Sequence, residues 1–140
     1  MLKTLKYATY LSLVILLLSC GGPEQKRDNF MSKGMINFEK GDYVAARLDF
    51  KNSLQIDPKF GQGYLMLAKT EIELGNYKGA YGYLNKSLQY DPDEIETHLE
   101  LGEIFLGARE LEKAEGEADF VLEKEKENLK GIVLFYYKML

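Results

Sequence analysis

The sequence predicts an all-α fold of repeated helix–turn–helix hairpins, and three observations carry this prediction. Asp57-Pro58 recurs as Asp91-Pro92, at a spacing of 34 residues, and a fixed period of this size is typical of repeat architectures. The residues around each pair repeat at the same spacing, turns included. Between the turns, small and large apolar residues follow one another at helical spacing. An unrelated helical bundle would not explain a repeat that includes its turns.

The repeats are defined by residues that match at this period. The matched sets are Gly41-Asp42-Tyr43 with Gly75-Asn76-Tyr77, Ala46 with Ala80 and Ala114, Phe50 with Leu84, and Ser53-Leu54-Gln55 with Ser87-Leu88-Gln89. A third, more divergent copy also places Leu111 with the tyrosines. We therefore set the repeats at 27–60, 61–94 and 95–128.

Each repeated feature has a physical reason. The first helix of each hairpin has a large side chain at its fourth position and a small one four residues later, where helices approach closely. These pairs are Phe30 and Gly34, Tyr64 and Ala68, and His98 and Gly102. Glycine permits the tight turn after the first helix. The Asp-Pro pair then ends the second helix, because proline disfavours helical angles in the preceding residue.

This pattern resembles the tetratricopeptide repeat (TPR) family over residues 27–128. The resemblance implies a short right-handed solenoid whose first helices line a concave groove for peptide or helical ligands. Repeat three departs from the pattern, with Arg109 at the turn glycine and Lys126 at the proline. Gly82 and Gly116 recur at equivalent places in second helices without an evident reason.

The family's groove positions, carried over one by one, predict the partner-binding lining. The predicted residues are Met31, Met35, Phe38, Leu65, Met66, Lys69, Ile72, Glu73, Glu96, Leu99, Glu100 and Glu103. One end is apolar and rich in methionine, which adapts to varied partners, and the other is rich in carboxylates. We therefore expect basic or apolar segments of protein partners.

The chaperone-binding TPR proteins clamp a partner's C-terminal carboxylates with lysine, arginine and asparagine. In this sequence the corresponding places are Met31, Met35, Met66, Glu96 and Glu100. The resemblance therefore does not extend to the clamp, and the acidic end would repel carboxylates.

The first thirty residues predict a secretory signal. Lys3 and Lys6 precede an apolar run over 7–18, which as a helix would cover roughly 18 Å and not the hydrocarbon core of about 30 Å. A signal peptide at 1–19 fits this pattern better than a transmembrane span.

The end of this run, Leu17-Leu18-Ser19-Cys20, resembles a bacterial lipobox. The resemblance implies that Cys20 is lipidated, with palmitate among its acyl chains, and that 20–26 forms the lipidated cysteine and a tether. Gly21 in place of aspartate resembles lipoproteins sent to the outer membrane, facing the periplasm. A buried thiol or cleavage by an ordinary signal peptidase are the alternatives; the adjacent Gly-Gly-Pro favours an exposed linker.

Composition excludes several function classes. The formal net charge is −4 and there is one cysteine and one histidine. Nucleic-acid binding would need a basic stripe, and a zinc site would need more ligands than His98 and a single cysteine. His98 fits better as a packing residue, and no phosphate loop or nucleophile motif is present. We expect no catalytic residues, metal, cofactor or small-molecule substrate.

The predicted function is that of a membrane-anchored scaffold for protein–protein interactions in the bacterial cell envelope. The segments 51–60 and 111–131 resemble TPR lipoproteins of exosortase (PEP-CTERM) and exopolysaccharide systems, and the overall plan is similar to pilus-assembly lipoproteins. The alternative is an N-terminal fragment or accessory module of a larger envelope enzyme or TPR protein.

Residues 129–140 align with the first helix of a fourth repeat, or form a capping helix. They are apolar or aromatic nearly all round. We expect apolar surface to remain exposed there, as an interaction site or as the start of a longer array.

Overall fold

The computed structural model describes residues 22–137, and within this range every regular element is an α-helix. The elements are α1 (Pro23–Glu39), α2 (Tyr43–Ile56), α3 (Gly61–Glu73), α4 (Tyr77–Tyr90), α5 (Ile95–Gly107), α6 (Leu111–Lys124) and α7 (Leu129–Tyr136). Antiparallel pairs α1–α2, α3–α4 and α5–α6 follow one another as three hairpins, which confirms the predicted all-α repeat fold. None of the helices in 22–137 is long and apolar enough to cross a membrane. Cys20, the predicted signal peptide 1–19 and residues 138–140 lie outside the described range.

The turn inside each hairpin uses the residues that the repeat predicts. Gly41 and Gly75 both have φ of 76°, in the left-handed region where glycine carries no steric penalty. The next residue caps the second helix: the Asp42 side chain accepts a hydrogen bond from the Ala45 N–H, and the Asn76 side chain accepts one from the N–H three residues on.

The third turn has the same backbone form without the matching residues. Arg109 has φ of 61°, although it carries a side chain. Glu110, at the N-cap of α6, makes no side-chain capping bond. The divergence of repeat three seen in the sequence therefore falls on a turn whose geometry is unchanged.

Repeated serines join the end of each second helix to the start of its partner. The hydroxyl of Ser53 donates to the carbonyl of Arg27, and that of Ser87 donates to the carbonyl of Gly61, each at 3.1 Å. Both serines are fully buried. Their match at the 34-residue period therefore reflects a buried hydrogen bond that the first two hairpins share. In the third hairpin the equivalent residue is Val121, which is also fully buried.

The core is continuous along the array and falls into three clusters. The first comprises Met31, Ala46, Phe50, Leu54, Tyr64, Met66 and Leu67, the second Leu65, Ala68, Ala80, Leu84, Leu101, Phe105 and Ala114, and the third Leu99, Ala118, Val121 and Leu134. Each cluster contains residues from two successive hairpins or, in the third, from α7. The hairpins are therefore held together by shared apolar cores, as repeat arrays require.

Small residues sit where neighbours approach closely. A Cβ added to Gly34 would lie 2.5 Å from the ring of Phe50 on α2, as expected for a hairpin contact. A Cβ on Gly102 would lie 2.8 Å from Leu134 on α7. The closest approach at Gly102 is thus to the next element of the array and not to the partner helix of its own hairpin.

His98 has the packing role that its position predicts. It is buried and its ring stacks on Phe120, with ring centres 3.8 Å apart. Nδ1 lies 2.6 Å from a carboxylate oxygen of Glu117, and Nε2 lies 3.0 Å from the carbonyl oxygen of Pro92. These contacts join α5 to α6 and to the turn before α5.

Helix α7 occupies the place of a fourth first helix. Gly131 and Leu134 are buried against α5 and α6. The other faces remain open, as predicted: the exposed apolar side chains are Leu129, Val133, Tyr136 and Tyr137.

Candidate partner-binding groove

Four of the twelve predicted groove residues belong to the core and not to the accessible groove. Leu65 is fully buried, and Met31, Met66 and Leu99 are at most 8% exposed. Met31, Leu65 and Leu99 are equivalent residues, and each belongs to a core cluster that includes residues of the next first helix of the array. Packing between successive first helices therefore buries this row, and its contact with a partner remains a prediction.

The accessible groove is formed by the predicted residues nearer the hairpin turns. Met35, Glu73 and Glu103 are exposed, and Phe38 and Ile72 are half-buried. They come from the last two turns of α1, α3 and α5. The structure thus places an apolar and acidic surface along one edge of the three first helices.

Lys69 joins the acidic residues of the groove. Its Nζ makes a short ion pair with Glu96 and lies 4.0 Å from Oε1 of Glu100, so that one cation on α3 bridges two carboxylates on α5. Burial raises the pKa of Glu100, Lys69 opposes that rise, and the nearby carboxylate of Glu103 adds to it. The groove therefore contains a carboxylate whose charged form is poorly solvated.

A cavity of about 650 Å³ opens between α3, α4 and α5. It is lined by Ile72, Tyr77, Glu100, Glu103, Ile104, Gly107 and Ala108. Four of these residues, Tyr77, Ile104, Gly107 and Ala108, are absent from the predicted lining. Tyr77 begins a second helix, and the family's groove positions lie on first helices, so the carry-over could not include it. Its match to Tyr43 at the start of α2 was the available signal.

At the methionine-rich end, Tyr43, the residue equivalent to Tyr77, packs against a side chain of its own hairpin. The Tyr43 ring packs edge-on against Phe38, with centres 5.3 Å apart. Desolvation, followed by a hydrogen bond with Glu73, raises the pKa of Tyr43. The first hairpin therefore covers part of its groove with its own side chains, whereas Tyr77 is 58% exposed.

The groove continues onto α7. A second cavity of about 420 Å³ lies between α5 and α7 and shares Glu103 and Gly107 with the first. Lys130, Val133 and Tyr137 form its far wall. The two cavities together extend the concave surface from α3 to α7. Within residues 22–137, no cluster of histidine, cysteine and carboxylates is arranged to hold a metal ion.

The helical hairpins and their shared groove define the class of protein as a solenoid of helix–turn–helix repeats. The tetratricopeptide repeat family model matches residues 37–87 and 71–128, which together cover more than half of the chain. The chain belongs to the TPR family. TPR domains mediate protein–protein interactions.

Solved TPR structures share this fold at low sequence identity. The first TPR of Spaghetti (RPAP3), bound to the HSP90 peptide SRMEEVD, has a TM-score of 0.78 at 20% identity, covering 81% of this chain and 90% of that one. The Yersinia enterocolitica type III secretion chaperone SycD, in complex with a peptide of the translocator YopD, has a TM-score of 0.72 at 17% identity, covering 79% and 89%. A Thermobaculum terrenum O-GlcNAc transferase has a TM-score of 0.77 at 21% identity, covering 85% of this chain and 23% of the enzyme. No curated protein sequence matches the chain.

Proposed function

We propose that this protein is a lipid-anchored scaffold of the bacterial cell envelope that binds partner proteins through the concave groove of its TPR array. The observation that carries this proposal is the cavity of about 650 Å³ on the groove side, where apolar side chains and carboxylates are both accessible. Apolar grooves of this kind accept helical or extended segments of partner proteins.

Two solved structures with this fold support a peptide as the ligand. Spaghetti (RPAP3) holds an HSP90 peptide, and SycD holds a peptide of a translocator. In this chain the groove is acidic, which disfavours an acidic segment of the HSP90 kind and favours basic or apolar partner segments.

Groove binding is tested by serine substitutions at accessible positions. Met35→Ser with Ile72→Ser is expected to abolish partner capture from detergent-solubilised envelopes while the helical circular dichroism is retained. The matched control is Val44→Ser with Leu48→Ser, because both side chains are 61% exposed on α2, outside the groove. Loss of capture in the control alone would move the site to the second helices. Leu65 and Met66 are unsuitable targets, since their burial would make serine destabilising.

Anchoring is proposed from the lipobox at Leu17-Leu18-Ser19-Cys20. Two or three acyl chains on one residue would hold a protein stably at a membrane. Cys20→Ala is expected to accumulate a larger precursor that no longer incorporates labelled palmitate, whereas Gln25→Ala, in the first turn of α1, is processed normally. Palmitate entering the Cys20→Ala protein would refute the assignment.

The location proposed is the periplasmic face of the outer membrane, in an exopolysaccharide-export or pilus-assembly system. Separation of the two membranes on a density gradient tests the first part. Deletion of the gene with separate assays of secreted polysaccharide and of surface pili distinguishes the two systems, and an effect on neither would reject both.

A second candidate is a module of a larger envelope enzyme or TPR protein. The O-GlcNAc transferase supports it, because 23% of that enzyme corresponds to an array of this kind. An antibody raised against residues of α5 and α6 would then detect a polypeptide much larger than 16.0 kDa in cells.

A further inference from the structure

The cavity between α3, α4 and α5 combines apolar walls with two carboxylates. Ile72 and Ile104 approach from α3 and α5, and Tyr77 at the start of α4 is 58% exposed. The side chain of Glu100 is only 12% exposed, whereas Glu103 is open to solvent. An occupant would therefore meet apolar surface and two negative groups at different depths.

The charges on this part of the groove are not balanced. Lys69 pairs closely with Glu96 and lies 4.0 Å from Glu100. Among the described residues, Glu103 makes no ion pair, and its charge is close enough to affect Glu100. Two lysines, Lys69 on α3 and Lys130 on α7, thus face the three carboxylates of α5, which leaves one negative charge in excess. The closest pairing of Lys69 is with Glu96, outside the cavity.

A long basic side chain complements this arrangement. Lysine and arginine bury an apolar stem along apolar surface while the charged head remains at a polar site. The stem would contact Ile72 and Ile104, and the head would reach Glu100 and Glu103. An exposed tyrosine ring such as Tyr77 also attracts cations through its face.

We infer that this cavity is a specificity pocket for one lysine or arginine side chain, presented by an otherwise apolar segment of a partner protein. The inference rests on the proposed function, because it assumes that a partner segment lies in the groove. It adds which part of the groove recognises charge and which side chain of the partner is recognised there. Acidic segments such as SRMEEVD, held by Spaghetti (RPAP3), would be rejected here.

In the experiment, the full chain in mild detergent is incubated with a positional-scanning library of synthetic peptides, and the bound peptides are identified. The expected result is enrichment of lysine or arginine at one position, flanked by apolar residues. Three versions of the selected peptide are then compared by fluorescence anisotropy, with lysine, norleucine or glutamate at that position. Norleucine has nearly the shape of lysine without its charge, so we expect it to bind about tenfold more weakly, and glutamate more weakly still.

Variants of the protein locate the effect. Glu103→Gln is expected to weaken the lysine peptide about tenfold and to change norleucine binding by less than about twofold. Glu123→Gln, an exposed carboxylate at the end of α6, is the control for net charge and should change neither. Circular dichroism checks that each variant is folded.

The other outcomes separate this inference from the proposed function. If lysine and norleucine peptides bind equally, the pocket inference is overturned and groove binding stands. If Glu123→Gln weakens the lysine peptide as much as Glu103→Gln does, the attraction comes from overall charge and the pocket is again overturned. If no library peptide is enriched, both the pocket and groove binding of peptides are rejected.

Discussion

Arg109 adopts a left-handed backbone conformation that the equivalent residues of the first two hairpins satisfy with glycine. Its φ is 61°, against 76° at Gly41 and Gly75. The Arg109 side chain is exposed, so the backbone is the main determinant of its energy. Arg109→Gly is therefore expected to stabilise the protein.

The magnitude follows from two opposing effects. A residue with a Cβ loses about 1–2 kcal/mol in the left-handed region relative to the right-handed one. Glycine avoids this cost but loses more chain entropy on folding, about 0.5–1 kcal/mol. The difference predicts a net gain of about 0.5–1 kcal/mol in the free energy of unfolding, or a rise of roughly 2–5 °C in melting temperature.

Guanidinium unfolding followed by circular dichroism measures this gain. Arg109→Ala is the matched control: it removes the arginine but keeps a Cβ, and we expect a change within about 0.5 kcal/mol. Gly75→Ala is the reverse test and should destabilise by about 1 kcal/mol, because its added Cβ meets no atom within 4 Å and only the backbone is strained. Equal stabilisation by Arg109→Ala and Arg109→Gly would refute the backbone explanation.

Three further predictions concern stability. Gly82→Ala and Gly116→Ala should each stabilise the protein by about 0.5–1 kcal/mol, because both glycines are exposed within helices and an added Cβ meets nothing within 4 Å. Urea unfolding of the single variants measures this gain. A loss of stability would reveal a role for the glycines in the native array. Ala80→Leu should destabilise the protein by about 1–3 kcal/mol, because Ala80 is fully buried between α3 and α5. The control Lys78→Ala, at an exposed position, should change the stability by no more than about 0.5 kcal/mol. Equal melting shifts for the two variants would contradict the repeat alignment. The raised pKa of Glu100 means that its charged form opposes folding above that pKa and that the penalty disappears below the unfolded value. Glu100→Gln should therefore stabilise more at pH 7 than at pH 4, and an equal gain at both pH values would rule out the desolvated charge as its cause.

The groove could be predicted only in part. Carrying the family positions over identified Glu100, Glu103 and Ile72, which do line the cavity. Tyr77 was missing from the predicted lining because it lies at the start of a second helix, whereas the family's groove positions lie on first helices. The burial of the row containing Leu65 could not be predicted, because sequence spacing gives the direction of a side chain around its helix but not the distance to the neighbouring helix. That distance is decided by packing of the whole array.

The sequence by itself determined the local structure of this protein. The 34-residue period, the turn glycines and the Asp-Pro stops specify where the first two hairpins turn and end, since backbone angles depend on the residues at the turn itself. The third turn has the same backbone form with Arg109 in place of glycine, and the buried residues on either side of it, Phe105 and Ala114, belong to one core cluster. Tertiary structure alone decided which side chains of the first helices are covered and which carboxylates Lys69 neutralises. Burial and ion pairing depend on distances between residues far apart in the chain, and those distances exist only once the hairpins have stacked.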